Sequence, residues 1–370
     1  MPEILAEVAA SFEGTGLTMY LVDFGQTTLE PVPVRRTEPF ISTSEAVAGT
    51  MAGRAFTDQT IVTSERDGAV RVWIPVVEGS DRTGVLALTL PSFDDRLADA
   101  CEELGLLAGY LIAAHARCTD LYNLYRRRRR LTLAASMQWD LLPPLVIKTE
   151  SVAVAGLVEP AYDVGGDCFD YAANGVTFDL AIMDAMGHGL RSAAASALAM
   201  GSYRHDRRES RSLEAMHTAL GEAIDSQHHG SMFVTGLLAR LDCHTGAFSW
   251  TNAGHPRPLL VRHGRVVGEL WCQPTPPWGA VHSVPTVATE ALEPGDAILL
   301  YTDGVTEART PEGELFGIDR LIDLTSRAAS DLLKPEEVIR LLVRAVMDHQ
   351  TAELADDATL VLVQWSPANG

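Results

Sequence analysis

The stretch that most restricts what this chain can become is Val176-Thr-Phe-Asp-Leu-Ala-Ile-Met-Asp184-Ala-Met-Gly187-His188-Gly189. Val176, Phe178, Leu180 and Ile182 share one parity and Thr177 and Asp179 the other, the period-2 pattern of a partly buried strand. That strand ends on a carboxylate. A glycine-framed turn then opens onto a helix of small residues, Leu190 to Tyr203. An acid held rigidly at a strand exit can ligate a metal. Aspartate beside glycine is also ordinary turn chemistry, so Asp184 carries meaning only if the chain supplies partners for it.

The 370 residues suffice for two domains, each with its own core. With 46% hydrophobic and 21% charged residues the composition is that of a globular chain, not a disordered one. A formal net charge of −20 excludes a general nucleic-acid or anionic-membrane binder, since both need a positive field. Carboxylates in clusters suit metal binding instead. Cys101, Cys118, Cys168, Cys243 and Cys272 are odd in number, dispersed, and form no Cys-x-x-Cys pair. A disulfide framework or zinc ribbon is not expected, and a reducing cytoplasm is. No basic segment followed by an apolar core marks a signal peptide, and the apolar run Leu104 to Ala114 is too short to span a bilayer.

Residues 1–115 are expected to form one small domain. Leu17 to Asp23, Val70 to Val77 and Thr83 to Leu90 read as strands, and the last two form a hairpin about the turn Glu78-Gly-Ser-Asp-Arg82. Trp73-Ile-Pro-Val76, Gly84-Val-Leu-Ala-Leu-Thr-Leu90 and Phe93-Asp-Asp resemble the closing strands of GAF domains, small α/β sensor modules with a central antiparallel sheet. A PAS-like module or a plain dimerisation domain is the alternative.

From Asp94 to about Leu142 there is no proline. Leu97, Cys101, Leu104, Ala108, Leu111, His115, Cys118, Tyr122 and Tyr125 follow alternating four- and three-residue steps. The spacing predicts a long connecting helix, residues 116–144 bridging the domains, with a homodimer joined along it. The other reading is an amphipathic helix whose first half packs on its own domain. Arg126-Arg-Arg-Arg-Arg130 is read as a solvated helix face or a clamp for an acidic patch, and Pro143-Pro144 stops the helix.

Residues 145–370 alternate many strands with few helices. Strands are expected at Val152 to Val158, Val176 to Asp184, Val234 to Leu241, Phe248 to Asn252, Pro258 to Val261, Thr286 to Glu290, Ala297 to Thr302 and Thr359 to Trp365. Helices are expected at Leu190 to His205, Ser212 to Gln227, Ile318 to Ala328 and Pro335 to Asp348. Acids recur where strands begin or end: Asp167 after Gly165-Gly166, then Asp184, Asp303, and Asp356-Asp357. In antiparallel sheets one strand's exit lies beside its neighbour's start, so these acids can gather on one edge. Crowded carboxylates need cations, and oxygen donors without thiolate or histidine select Mg²⁺ or Mn²⁺.

Read together, the motifs are specific. Val164-Gly-Gly-Asp167-Cys-Phe-Asp170, Asp184-Ala-Met-Gly-His-Gly189, Thr251-Asn-Ala-Gly-His-Pro256, Leu300-Tyr-Thr-Asp303-Gly-Val-Thr-Glu307 and Asp356-Asp-Ala-Thr-Leu360 resemble, in order, the motifs of SpoIIE-like bacterial metal-dependent (type 2C) protein serine/threonine phosphatases. Gln138 and Leu141-Leu-Pro143 resemble that family's usual approach to the domain. The resemblance implies an α+β fold, an α-β-β-α sandwich of antiparallel sheets, with two Mn²⁺ or Mg²⁺ ions at one edge. It implies that Asp184 bridges both ions and that the Ala185 carbonyl and Asp167 stand on one side. Asp303 with Asp356 or Asp357 would stand on the other, Asp356 being favoured by its place in the motif.

Eukaryotic relatives carry a histidine acid close behind the bridging aspartate. His188 has a different spacing and is read as a structural turn residue, and His255 as one that pins a loop. The implied activity is hydrolysis of phosphoserine or phosphothreonine on a partner, in this branch a phosphorylated anti-anti-sigma (STAS) protein, gated by the N-terminal sensor. A phosphohydrolase of small phosphate esters and a non-catalytic docking module are the alternatives.

Overall fold

The computed structural model describes residues 2–33, 43–78, 81–116, 118–163, 165–350 and 356–367. They divide into two units, Met1–Arg130 and Leu131–Gly370.

The first unit contains α1 (Pro2–Ser11), β1 (Thr15–Val22), β2 (Thr28–Val32), β3 (Glu45–Ala46), α2 (Met51–Asp58), β4 (Val62–Arg66), β5 (Ala69–Glu78), β6 (Asp81–Leu90), α3 (Asp95–Ala116) and α4 (Leu121–Tyr125). Its strands make one antiparallel sheet in the order β3-β2-β1-β6-β5-β4. The anticipated hairpin is β5–β6, with Val72 opposite Leu88 and Ile74 opposite Leu86. Gly79 and Ser80 of its turn lie outside the described residues. Alternation gives the sheet two apolar faces. Val72, Ile74, Val76, Leu86 and Leu88 pack with α1 and α3, while Tyr20, Val85 and Ala87 pack with Ala52, Ala55 and Phe56 of α2.

The uninterrupted connecting helix is not observed. Helix α3 ends at Ala116, and the short α4 follows at Leu121. The reason is burial: Cys101, Leu104, Ala108 and Tyr122 of the predicted seam lie in the unit's own core. Gly105 lets α3 approach so closely that a Cβ there would strike the Pro75 carbonyl. The arginine run also turns back onto its own unit. Arg126 donates to the Val22 carbonyl at 2.9 Å and stacks over Phe24, and Arg128 stands 3.7 Å from Glu30.

The second unit contains α5 (Leu133–Leu141), β7 (Val146–Lys148), β8 (Val152–Glu159), β9 (Asp167–Asn174), β10 (Thr177–Ala185), α6 (Leu190–Arg208), α7 (Leu213–His228), β11 (Val234–Asp242), β12 (Ala247–Ala253), β13 (Leu259–Arg262), β14 (Arg265–Glu269), β15 (Ala288–Ala291), β16 (Ala297–Tyr301), α8 (Asp303–Thr306), α9 (Ile318–Ser330), α10 (Pro335–His349) and β17 (Ala358–Trp365). Two antiparallel sheets, β15-β12-β11-β10-β9 and β14-β13-β16-β17-β8-β7, stack face to face. Phe169, Phe178, Leu180, Ile182 and Leu237 from one meet Val154, Ile298, Leu300 and Val361 from the other. Helices α6 and α7 cover the outer face of the first sheet, and α9 and α10 that of the second. The layering is α-β-β-α.

Strand β10 corrects the expectation of a half-buried strand. Its second face carries Ala181 and Met183 under α6 and α7, and Asp179, buried, pairs with Arg240 at 2.7 Å. Val176, counted into the strand from its parity, precedes it and is exposed. Strand β9 was not anticipated, because Asp167 and Asp170 make its sequence look like a turn. Asp170 is buried but bound by Arg204 and Arg207 of α6, each at 2.8 Å, so the charge is accommodated.

Candidate metal centre

The register of the sheets places the acids. Asp184, next to last in β10, stands directly opposite Asp167, the first residue of β9. Asp303 starts α8 two residues beyond the end of β16, and Asp356-Asp357 lead into β17, the neighbour of β16. Both sheets therefore deliver their acids to one edge.

Two clasps lock the sheets there. The Thr302 hydroxyl donates to Asp167 Oδ2 at 2.6 Å while accepting from the Thr359 N–H at 2.9 Å. Asp357 Oδ2 accepts the N–H groups of Gly165, Gly166 and Asp167 at 2.8, 2.6 and 3.3 Å. Val164 of the same motif lies outside the described residues. The Ser196 hydroxyl donates to the Gly166 carbonyl, so α6 holds this segment as well.

Glycine is required by proximity. A Cβ on Gly304 would collide with the Asp357 carbonyl, and one on Gly166 would lie 2.7 Å from the Ala185 carbonyl. Gly304→Ala is expected to lose about 1–3 kcal/mol of unfolding free energy in a urea titration, an overpacking penalty. Gly268→Ala, where nothing lies within 4 Å, is the control expected to stay near wild type. The turn itself needs glycine for its backbone, with φ +83° at Gly187 and +79° at Gly189.

The charges are mutually unfavourable. Burial, then Asp303, Asp356 and Asp357, push the Asp184 carboxyl up to about 7, against a hydrogen bond from Thr235 that lowers it. Burial, then Asp184 and Asp357, hold Asp167 well above the usual carboxylate range. Asp303 is raised by burial and by Asp356, and Asp356 by burial and by Asp357. Asp357 is raised by burial, opposed by its three N–H donors. Such a cluster of hard oxygen donors fits a divalent cation chemically. Among the described residues no three of these side chains already surround a common point.

The two histidines differ. His188 is exposed in the turn and lies close enough to Asp356 to help lower that carboxyl's pKa. His255 is buried, which lowers its ring pKa to about 3. Asn252 clasps its backbone from both sides, donating to the His255 carbonyl at 2.9 Å and accepting its N–H at 2.8 Å, so the Asn252 side chain pins the loop.

With this edge described, comparison with known proteins becomes informative. The profile of the family described as stage II sporulation protein E (SpoIIE) matches residues 174–366, just over half of the 370. The chain belongs to the SpoIIE family. The matched stretch includes Asp184, Asp303, Asp356 and Asp357 and leaves out Asp167. Phosphoserine phosphatase RsbU of Bacillus subtilis is 24% identical over 245 residues, 64% of this chain and 70% of RsbU. Phosphoserine phosphatase RsbP of the same organism is 22% identical over 242 residues, 64% of this chain and 58% of RsbP. The SiaA PP2C domain of Pseudomonas aeruginosa shares the fold, with a TM-score of 0.53 at 22% identity, covering 62% of this chain and 94% of that domain.

For a SpoIIE-family edge the sequence reading named the acids and missed the hydroxyls beside them, Thr302 on Asp167 and Thr235 across from Asp184. Each looks like an ordinary strand residue. A signal existed for Thr302, which stands next to Asp303. For Thr235 only the pairing of β10 with β11 supplies one.

Proposed function

We propose that this chain is a metal-dependent phosphatase that removes phosphate from phosphoserine or phosphothreonine of a partner protein, with two Mn²⁺ or Mg²⁺ ions at the acidic edge. It is a protein serine/threonine phosphatase of the SpoIIE family. The observation that carries the mechanism is that acids from both sheets meet on one edge, where each raises its neighbours' proton affinity.

Asp184, with Asp167 and the Ala185 carbonyl, would hold one side of the metal pair. Asp303 and Asp356 would hold the other, and Asp184 would face both. Bound divalent ions supply Lewis-acid neutralisation of the charge that develops on the phosphoryl group. The chain's own part is placement. Thr302 fixes Asp167, and Thr235 fixes Asp184. Asp357 ties the Gly165–Asp167 segment to the start of β17, which leaves Asp356 the better candidate to face the ions.

The partner class, a phosphorylated STAS-type anti-anti-sigma protein, follows the family resemblance and the phosphoserine phosphatases RsbU and RsbP rather than any residue of this chain. The first unit, a six-stranded antiparallel sheet with helices on both faces, suits a GAF-like sensor that gates the second. A homodimer belongs to the same reading. It would use Leu106, Leu107 and Tyr110, which α3 leaves exposed, since the predicted seam is buried. No helix among the described residues is long and apolar enough to cross a membrane, and a cytoplasmic location is part of the proposal.

Mn²⁺-supported release of phosphate from a phosphorylated STAS protein, measured beside p-nitrophenyl phosphate, tests the substrate class. The phosphoprotein should be the much better substrate by kcat/KM. Equal or better turnover of p-nitrophenyl phosphate would favour a small-ester phosphohydrolase, and no turnover of either a docking module.

A further inference from the structure

Strand β11 holds Asp184 from the side opposite Asp167. Thr235 stands directly across from Asp184 in the β10–β11 register, so the two side chains share one face of the sheet, and its hydroxyl acts to lower the carboxyl's pKa. The same Thr235 Oγ1 lies 3.1 Å from Nδ1 of His255. His255 follows β12, whose Asn252 pairs with Leu237 of β11 and clasps the His255 backbone from both sides. The ring is therefore set from two neighbouring strands, β11 and β12. Its other nitrogen, Nε2, is buried toward the Tyr301 backbone without a well-formed hydrogen bond.

The proton count fixes the direction of this chain. An ionised carboxylate only accepts, so the single Thr235 O–H proton goes to Asp184. The Thr235 oxygen then meets His255 with a lone pair, and the ring must carry its proton on Nδ1. A neutral imidazole has one N–H, so in this arrangement Nε2 is the unprotonated nitrogen.

We propose that His255 and Thr235 are positioning residues for the metal centre: the Nδ1–H of His255 orients the Thr235 hydroxyl, which orients the carboxylate of Asp184 toward the ions. The Asn-Ala-Gly-His segment thus acts on the site from a strand that carries none of its ligands. The inference rests on the metal-centre reading above. It is the arrangement by which hydrogen-bonded partners behind a ligand set its orientation, and loss of such a partner weakens metal binding about 10- to 100-fold.

The test is Mn²⁺ binding to the full chain, followed by titration calorimetry and by the electron paramagnetic resonance of free Mn²⁺. Thr235→Val keeps shape and removes the hydroxyl, and should weaken Mn²⁺ binding about tenfold or more. Thr235→Ser restores the hydroxyl and should bind Mn²⁺ like the wild type, a rescue that simple packing would not produce. His255→Ala should weaken binding to a similar degree, and the double variant Thr235→Val/His255→Ala should bind no worse than the weaker single one. Thermal melts of the metal-free proteins show whether His255→Ala folds. If it does not, the Val/Ser pair at 235 decides alone.

Wild-type affinity in Thr235→Val, equal losses in the Ser and Val variants, or losses that multiply in the double variant would overturn the proposal. Asp184→Asn separates the two levels. If it loses Mn²⁺ while Thr235→Val does not, only the relay fails. If neither it nor the wild type differs from buffer, the metal centre fails and the relay with it.

Discussion

Asp184→Asn is expected to lower Mn²⁺-supported phosphatase activity on the order of 10³-fold or more, and at the same time to stabilise the metal-free protein. The first effect follows if the ions contribute several kcal/mol of charge stabilisation, with each 1.36 kcal/mol worth tenfold in rate. The second comes from the neighbours. Asp184 is pushed up to about 7 by burial and by Asp303, Asp356 and Asp357, so its ionised form is unfavourable in the fold. A carboxyl whose pKa is raised on folding holds its proton more tightly in the folded state. Its contribution is fully present below the ordinary carboxylate pKa and is lost as pH rises through about 7. Metal-free wild type should therefore melt at lower temperature at pH 8 than at pH 5, and Mn²⁺ should restore it at pH 8. In Asp184→Asn the drop should shrink and the Mn²⁺ response largely vanish, with a melting temperature at pH 8 a few degrees above wild type, about 2–4 °C per kcal/mol for a unit of this size. A Mn²⁺ response unchanged by the substitution would remove Asp184 from the centre.

The strands and helices of the second unit were legible because their cause is periodic. Phe178, Leu180 and Ile182 must face one core, and the helix starting at Pro335 announces itself by Glu336 and Glu337. The acids were legible because each sits where regular structure stops. What stayed hidden was compensated charge. Asp170 and Asp179 look like solvent-facing or turn residues until Arg204, Arg207 and Arg240 arrive from other elements. The α3 seam misled for a related reason: a four-and-three spacing says which face of a helix is apolar, and not whether another helix or a sheet covers it. Here β5 covers it, through Gly105. The clasp of Asp357 on the Gly165–Asp167 backbone was likewise beyond the sequence, because it depends on N–H groups nearly two hundred positions away.

The adjacent acids should separate cleanly on substitution. Asp357 is 7% exposed, and one of its oxygens takes three backbone N–H groups. Asp357→Ala strands those donors. A buried unsatisfied donor costs about 1–3 kcal/mol. With water reaching some of them, the variant is expected to lose about 3–5 kcal/mol, a loss of the size seen when a buried charge network is broken. The second unit should then melt at a markedly lower temperature, by about 2–4 °C for each kcal/mol lost. Asp357→Asn keeps an acceptor oxygen and should recover much of the stability. Asp356 is more open to solvent than Asp357, and its hydrogen bond, from the Asp357 N–H at 2.9 Å, is local. Asp356→Asn should melt like the wild type yet bind Mn²⁺ more weakly and turn over slowly. If Asp357→Asn were the variant that folds well and loses Mn²⁺, with Asp356→Asn unaffected, the two would exchange roles. The geometry argues against the exchange. A carboxylate that turned from its three N–H groups toward an ion would release the Gly165–Asp167 segment, and with it the backbone that places Asp167 opposite Asp184.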